Sequence, residues 1–175
     1  MKKLLIVVDM QKDFVDGALG TAEAVAIVDN VVNKIENFQG DIIATYDTHT
    51  ANYMETQEGK NLPVPHCIKG TDGWELNVKV QSALDNRDYK IIEKPTFGST
   101  ALIEYVKANY NPAELEIELI GLCTDICVVS NALLLKANFL ETRVSVDANC
   151  CAGVTVESHN AALLTMKMCQ VAIIE

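Results

Sequence analysis

The sequence predicts one α/β domain over residues 1–175, a three-layer α/β/α sandwich around a mostly parallel sheet of about six strands. Three observations predict it. Short runs rich in β-branched residues and leucine recur along the chain, most of them continuously apolar rather than alternating, as strands covered on both faces must be. Stretches with helical spacing separate these runs, and β followed by α, repeated, closes into a parallel sheet through right-handed crossovers. At 175 residues the chain is also long enough to bury a core without disulfide or metal staples.

The elements follow in order. LLIVV (4–8) is the first strand, and a helical period occupies 22–38. DIIATY (41–46) is the second strand. Residues 47–74 break the rhythm with Pro63, Pro65 and no helical period, and a structureless loop of that length inside a compact domain is usually functional or disordered. It carries two of the three histidines and the only tryptophan, which favours function. A helix over 75–85 leads to the strand YKIIE (89–93), and Pro95 keeps the next helix from starting before 99–109. LEIELIGL (115–122) runs through glycine into a helix over 125–139, with Thr124 and Asp125 as its capping candidates. TRVSVD (142–147), a helix over 155–168 and QVAIIE (170–175) complete the chain.

Composition narrows the function classes. The chain has 14 basic against 24 acidic side chains, a net charge of −10, which argues against a nucleic-acid or anionic-membrane binder because phosphate-rich partners attract basic faces. No apolar run approaches the roughly 20 residues of a membrane span. The opening apolar stretch ends at Asp9, too early for a secretory signal, so a cytoplasmic location with reduced thiols is expected. The six cysteines, Cys67, Cys123, Cys127, Cys150, Cys151 and Cys169, therefore read as core filler, metal ligands or a nucleophile.

In open α/β sheets ligands sit beyond the carboxyl ends of the strands. Asp9, Asp47, Lys94 and the Cys123–Cys127 segment all fall at such ends, so four strands direct reactive groups to one edge. Cys127 lies at the start of a helix, where the dipole and unpaired N–H groups favour a thiolate and can hold an oxyanion. It reads equally well as a small buried hydrophobe. Asp9 is a candidate general base or a turn cap, and a lysine at a buried strand end, such as Lys94, is uncommon unless paired. Together they would put a base, a cation and a nucleophile in one pocket. Asp47, His49 and His66 form a second constellation, two imidazoles and a carboxylate suited to Zn²⁺, Fe²⁺ or Mn²⁺. Glu58, with Glu55 competing, is a candidate fourth ligand directly or through water, and Cys67 an alternative to His66. The same set also reads as a polar loop with solvated histidines. No phosphate-binding loop, dinucleotide fingerprint or paired C-x-x-C is present.

These motifs resemble one family, the isochorismatase-like cysteine hydrolases, and within it the nicotinamidases. LLIVVDMQKDFVDGAL, D-T-H after the second strand, PHCIKGTDGWEL, the lysine of IIEKPTFGST and GLCTDICVVSNALLLKA match in the family's order over most of the chain. The resemblance implies a catalytic triad of Asp9, Lys94 and Cys127 and an oxyanion hole from the N–H groups of Cys123 and Cys127. It also implies a cis peptide between Cys123 and Thr124, and a substrate pocket walled by Phe14 and Leu19. A divalent metal, zinc first with iron or manganese as alternatives, is implied on Asp47, His49 and His66 with Glu58 near them. The activity implied is hydrolysis of nicotinamide to nicotinate and ammonia through a cysteine thioester, with the protein a homo-oligomer. The alternatives are a family hydrolase acting on another small amide or related substrate, and a non-catalytic metal-binding module of the same fold.

Overall fold

A computed structural model describes residues 1–175. Six strands form one parallel sheet in the order β3-β2-β1-β4-β5-β6: β1 (Lys2–Val8), β2 (Asp41–Asp47), β3 (Tyr89–Lys94), β4 (Leu115–Leu122), β5 (Arg143–Ala152) and β6 (Ala172–Ile174). Each forms where an apolar run stands in the sequence. The continuous apolarity of β1 has a direct cause in packing: Leu5 and Val7 enter one core with Val31, Ile35, Val80 and Leu84, while Leu4, Ile6 and Val8 enter the other with Leu102, Val106, Leu135 and Met166. All five side chains are fully buried, each contributing about 1.5–3 kcal/mol relative to exposure.

The helical layers divide accordingly. Helices α2 (Ala22–Ala26), α3 (Val28–Asn37) and α5 (Val78–Asp85) cover the first face, and α6 (Thr100–Asn109), α7 (Val129–Asn138) and α8 (Val156–Met168) cover the second. Side-chain caps start several of them: Thr21 accepts from Ala24 N–H, Asn77 from Lys79 N–H and Ser99 from Leu102 N–H, while Thr155 and Ser158 form a capping box on α8. No helix is long and apolar enough to cross a membrane.

Some details depart from the expected elements. The helical stretch 22–38 divides at Ile27 into α2 and α3. The segment 47–74 is not structureless: it holds α4 (Gln57–Asn61), capped by Thr56, and two 3₁₀ turns at Tyr53–Glu55 and Asp72–Trp74. A further one-turn helix, α1 (Lys12–Val15), follows β1. Elements this short lack a hydrophobic period and owe their helicity to tertiary packing. β5 runs five residues past the apolar stretch, with its pairing to β4 shifting register between Leu119 and Gly121.

The strand order reverses between β1 and β4, which places the crevice of the sheet beyond their carboxyl ends. Gly121 makes that approach possible. It pairs with Val8, has φ +115°, and a Cβ there would run into the Val8 carbonyl oxygen.

A paired ionic site and metal-type cluster at the carboxyl edge

At the end of β1 the chain turns sharply, with Asp9 in the left-handed region at φ 47° and its N–H bonded to the Thr45 carbonyl. The turn buries the Asp9 carboxylate completely. One oxygen, Oδ1, accepts from Thr45 Oγ1 at 2.6 Å, while Oδ2 lies 2.6 Å from Lys94 Nζ and has no aligned hydrogen-bond donor. Lys94 is the last residue of β3, and its side chain is fully buried. Its ammonium also donates to the Thr96 carbonyl at 3.1 Å, to Asp47 Oδ1 at 3.4 Å and to Cys127 Sγ at 3.3 Å. One cation therefore touches the base candidate, the nucleophile candidate and a carboxylate of the second cluster.

Burial governs the protonation of these groups. It raises the Asp9 carboxyl, helped by the Asp47 charge and opposed by Lys94. It likewise pushes the Cys127 thiol well up, with Asp9 adding to the rise through charge and a hydrogen bond and Lys94 opposing it. Burial alone would lower Lys94, yet the charges of Asp9 and Asp47 more than offset that and keep it protonated. The resting arrangement is an ammonium–carboxylate pair beside a neutral thiol, with Asp9 more basic than an ordinary aspartate.

Cys127 stands in a π-helical turn, Thr124–Val128, that joins β4 to α7. The Cys123 carbonyl accepts from the N–H groups of Ile126 and Val128 and passes over that of Cys127. The Cys123 N–H has no acceptor within the protein. The Cys123 thiol is pushed up to about 12, chiefly by burial. The cis peptide is Leu122–Cys123, one residue before the expected Cys123–Thr124 bond. Neither Thr124 nor Asp125 caps the helix, because both side chains are engaged elsewhere: Thr124 Oγ1 pairs with His159 Nδ1 at 2.8 Å, and the Asp125 carboxylate accepts from Val154 N–H at 3.2 Å.

The second cluster is assembled by backbone pairing. Asp47 ends β2, and the following strand-like segment bridges Ile68: His49 N–H donates to the Cys67 carbonyl and Lys69 N–H to that of His49. This brings His66 beside His49, with ring centroids 4.9 Å apart, and Tyr53 meets both rings edge-on. Ligand atoms of Asp47, His49 and His66, all buried, lie within 4.8 Å of one another. Asp47 Oδ2 is 3.0 Å from His49 Nε2 and 3.6 Å from His66 Nε2. His66 Nδ1 pairs with the Val64 carbonyl at 2.8 Å, which orients the ring and leaves Nε2 facing the cluster, as metal-ligating imidazoles are held. Burial acts to raise Asp47, but hydrogen bonds from both histidines and the Lys94 charge hold its carboxyl far below the usual carboxylate range. For His66 burial acts to lower the pKa, and hydrogen bonds to Asp47 and Val64 outweigh it, so the net shift is upward. Two imidazoles and a carboxylate converging in a buried position fit a divalent ion of the zinc or iron type.

The other expected site residues divide. Glu58, on α4, places Oε1 3.7 Å from Nε2 of each histidine, beside the three-residue set rather than in it. Glu55 is exposed on its 3₁₀ turn, and Cys67 stands outside the cluster, its thiol pushed up by burial. Phe14 packs against the His66 ring at 5.4 Å, and Leu19 is half-buried against the same core. Sequence reading gave no role to Gln11, Asp13, Thr45, Asn131 or His159. Asn131 donates to the Cys127 carbonyl at 2.8 Å and accepts from Ser99 N–H, while Gln11 and Asp13 bond backbone next to the cluster. Gln11 and Asp13 lie within the LLIVVDMQKDFVDGAL stretch, where the residue pattern alone assigned neither of them a role. A cavity of about 460 Å³, lined among others by Lys3, Lys34, Glu116 and Arg143, includes none of these residues.

Residues 3–175 match the isochorismatase domain. The chain is 30% identical over 189 residues to a nicotinamidase/pyrazinamidase of Mycobacterium tuberculosis, covering 98% of each chain. It is also 30% identical to an uncharacterised isochorismatase family protein of Bacillus subtilis, covering 93% of each. Among solved structures it superposes on a nicotinamidase/pyrazinamidase of Bacillus subtilis with a TM-score of 0.87 at 27% identity, covering 100% of both chains. A pyrazinamidase of Pyrococcus horikoshii in complex with zinc gives 0.83 at 28% identity, covering 100% of this chain and 99% of that one. With its domain matched almost end to end and a full-length relative at this identity, the chain belongs to the isochorismatase family.

Proposed function

We propose that the protein is a metal-dependent nicotinamidase that hydrolyses nicotinamide to nicotinate and ammonia through a cysteine thioester. The observation that carries the reading is the shared position of Lys94, which joins Asp9 and Cys127 on one side to the Asp47 cluster on the other within 3.4 Å. The full-length likeness to a mycobacterial nicotinamidase/pyrazinamidase supports the substrate class, a small neutral amide.

The chemistry follows from the protonation states. Asp9 Oδ2, lacking an aligned donor, takes the Cys127 proton as sulfur attacks the amide carbonyl carbon. The carbonyl π pair moves to oxygen, and the resulting oxyanion is held by the N–H groups of Cys123 and Cys127. Collapse breaks the C–N bond, Asp9 returns its proton to the departing ammonia, and the acyl group remains on Cys127 as a thioester. Asp9 then accepts a proton from an attacking water and returns it to the Cys127 sulfur as the C–S bond breaks, which frees the thiol and releases nicotinic acid, ionised to nicotinate. Lys94 lowers the cost of each negative charge formed beside it. Phe14 and Leu19 wall the ring.

Asp47, His49 and His66, with Glu58 directly or through water, would hold the divalent ion, zinc before iron or manganese. When bound, such an ion offers an open, electrophilic position to a substrate ring nitrogen or to water. Ammonia release from nicotinamide by metal-replete protein, compared with a panel of small aliphatic and aromatic amides, tests the reading. Highest kcat/KM for the pyridine carboxamide is expected, and a preference for an aliphatic amide would move the assignment to another hydrolase of the family. The homo-oligomer belongs to the same proposal and is read by light scattering.

A further inference from the structure

We infer that the segment Gln11–Phe14, the short helix α1 with the residue before it, positions the metal cluster, and that Gln11 and Asp13 thereby set its affinity for a divalent cation. The inference rests on the metal reading above, and Gln11 and Asp13, unlike Phe14, are placed against neither the ion nor the substrate.

Asp47 stands where β2 loses a neighbour. The β1–β2 ladder ends at Val8 and Thr45, because Asp9 turns the chain away. The backbone groups of Asp47 that face β1 would therefore have no strand to pair with. The Gln11 side chain takes that place: Oε1 accepts from Asp47 N–H at 2.7 Å, and Nε2 donates to the Asp47 carbonyl at 2.8 Å. The same amide nitrogen donates to the Trp74 carbonyl at 2.8 Å, at the end of the long segment that carries both histidines. Gln11 is completely buried, and these three hydrogen bonds use both of its donors and its acceptor.

Two residues on, Asp13 holds the other half of the cluster. Its Oδ2 accepts from Cys67 N–H at 2.8 Å, and Cys67 follows the ligand His66 in a left-handed conformation at φ 45°. Gly73 makes room for this contact, since a Cβ there would run into the Asp13 carboxylate. Phe14 then packs on the His66 ring. A single turn of helix thus grips the backbone at Asp47, the backbone beside His66 and one face of the His66 imidazole. Partners of this kind fix ligand orientation, and their loss typically weakens metal binding while the ligands themselves remain.

Zinc affinity of the purified full chain, measured by competition with a chromophoric chelator, tests this without reference to turnover. Gln11→Met keeps volume but leaves the Asp47 N–H and both carbonyls unpaired, and Asp13→Ala releases Cys67. Each is expected to raise the zinc Kd about 10–100-fold. Asp13→Asn, which keeps an oxygen for the Cys67 N–H, is expected to return it close to wild type. Val31→Ala, on the buried face of α3, removes none of these hydrogen bonds, lowers stability and serves as the control. If Gln11→Met does not fold, the Asp13 pair decides alone. Wild-type zinc affinity in Gln11→Met and Asp13→Ala, with melting temperatures lowered as in Val31→Ala, would overturn the inference. A wild-type protein that binds no divalent ion would instead overturn the metal reading, and this inference with it.

Discussion

Lys94 carries more of the site than any other side chain, and its environment decides what its removal does. A fully buried ammonium is tolerated here because Asp9, Asp47 and the Thr96 carbonyl surround it. Removing one member of such a pair leaves an uncompensated buried charge, which costs about 3–5 kcal/mol. Lys94→Met is therefore expected to lower unfolding free energy by that order in denaturant titration at neutral pH. Asp9→Asn removes the proton acceptor, with kcat for the amide expected to fall about 10²–10⁴-fold while KM changes little. The triad and metal candidates were legible in the sequence because reactive residues at the ends of apolar runs are chemically conspicuous. Gln11, Asn131 and His159 were not, since each acts through a neighbour that only the fold supplies: Asp47, Cys127 and Thr124 respectively.

At the scale of elements, β4 and the turn after it set the geometry of Cys127, the nucleophile candidate. Gly121 occupies a backbone region closed to other residues and lies against β1, so Gly121→Ala is expected to destabilise by more than about 1 kcal/mol, read from the thermal midpoint. The π turn is tied to the β5–α8 junction by the Thr124–His159 and Asp125–Val154 contacts. The six strands were readable because burial on both faces forces continuous apolarity. The capping role expected of Thr124 and Asp125 failed because tertiary partners outcompete the local helix for both side chains. The extension of β5 was hidden by its polar DANC segment, and α1 and α4 by lengths of 4 and 5 residues, too short for an apolar position to recur over successive turns.

Across the whole molecule, a net charge of −10 and a neutral substrate are compatible, since a neutral amide needs no basic surface to draw it in. Cation binding links the site to global stability. An ion that binds only the folded chain raises the melting temperature as its concentration rises above Kd, and zinc is expected to do so here. Protons compete for the same nitrogen atoms. Because the His66 pKa is raised, its protonation begins above the ordinary histidine range as pH falls, so zinc affinity and the zinc-dependent stabilisation are both lost in that direction. Zinc titrations at descending pH, starting near neutrality, should show a rising Kd, and a Kd independent of pH would exclude His66 as a ligand.

The central claim is that Cys127 attacks the amide. Ammonia release from nicotinamide, followed side by side in metal-replete wild-type protein and in Cys127→Ala, tests it most directly. The account predicts steady turnover in the wild type and a loss of at least about a thousandfold in the variant, at unchanged zinc content. Equal rates in the two proteins would contradict it.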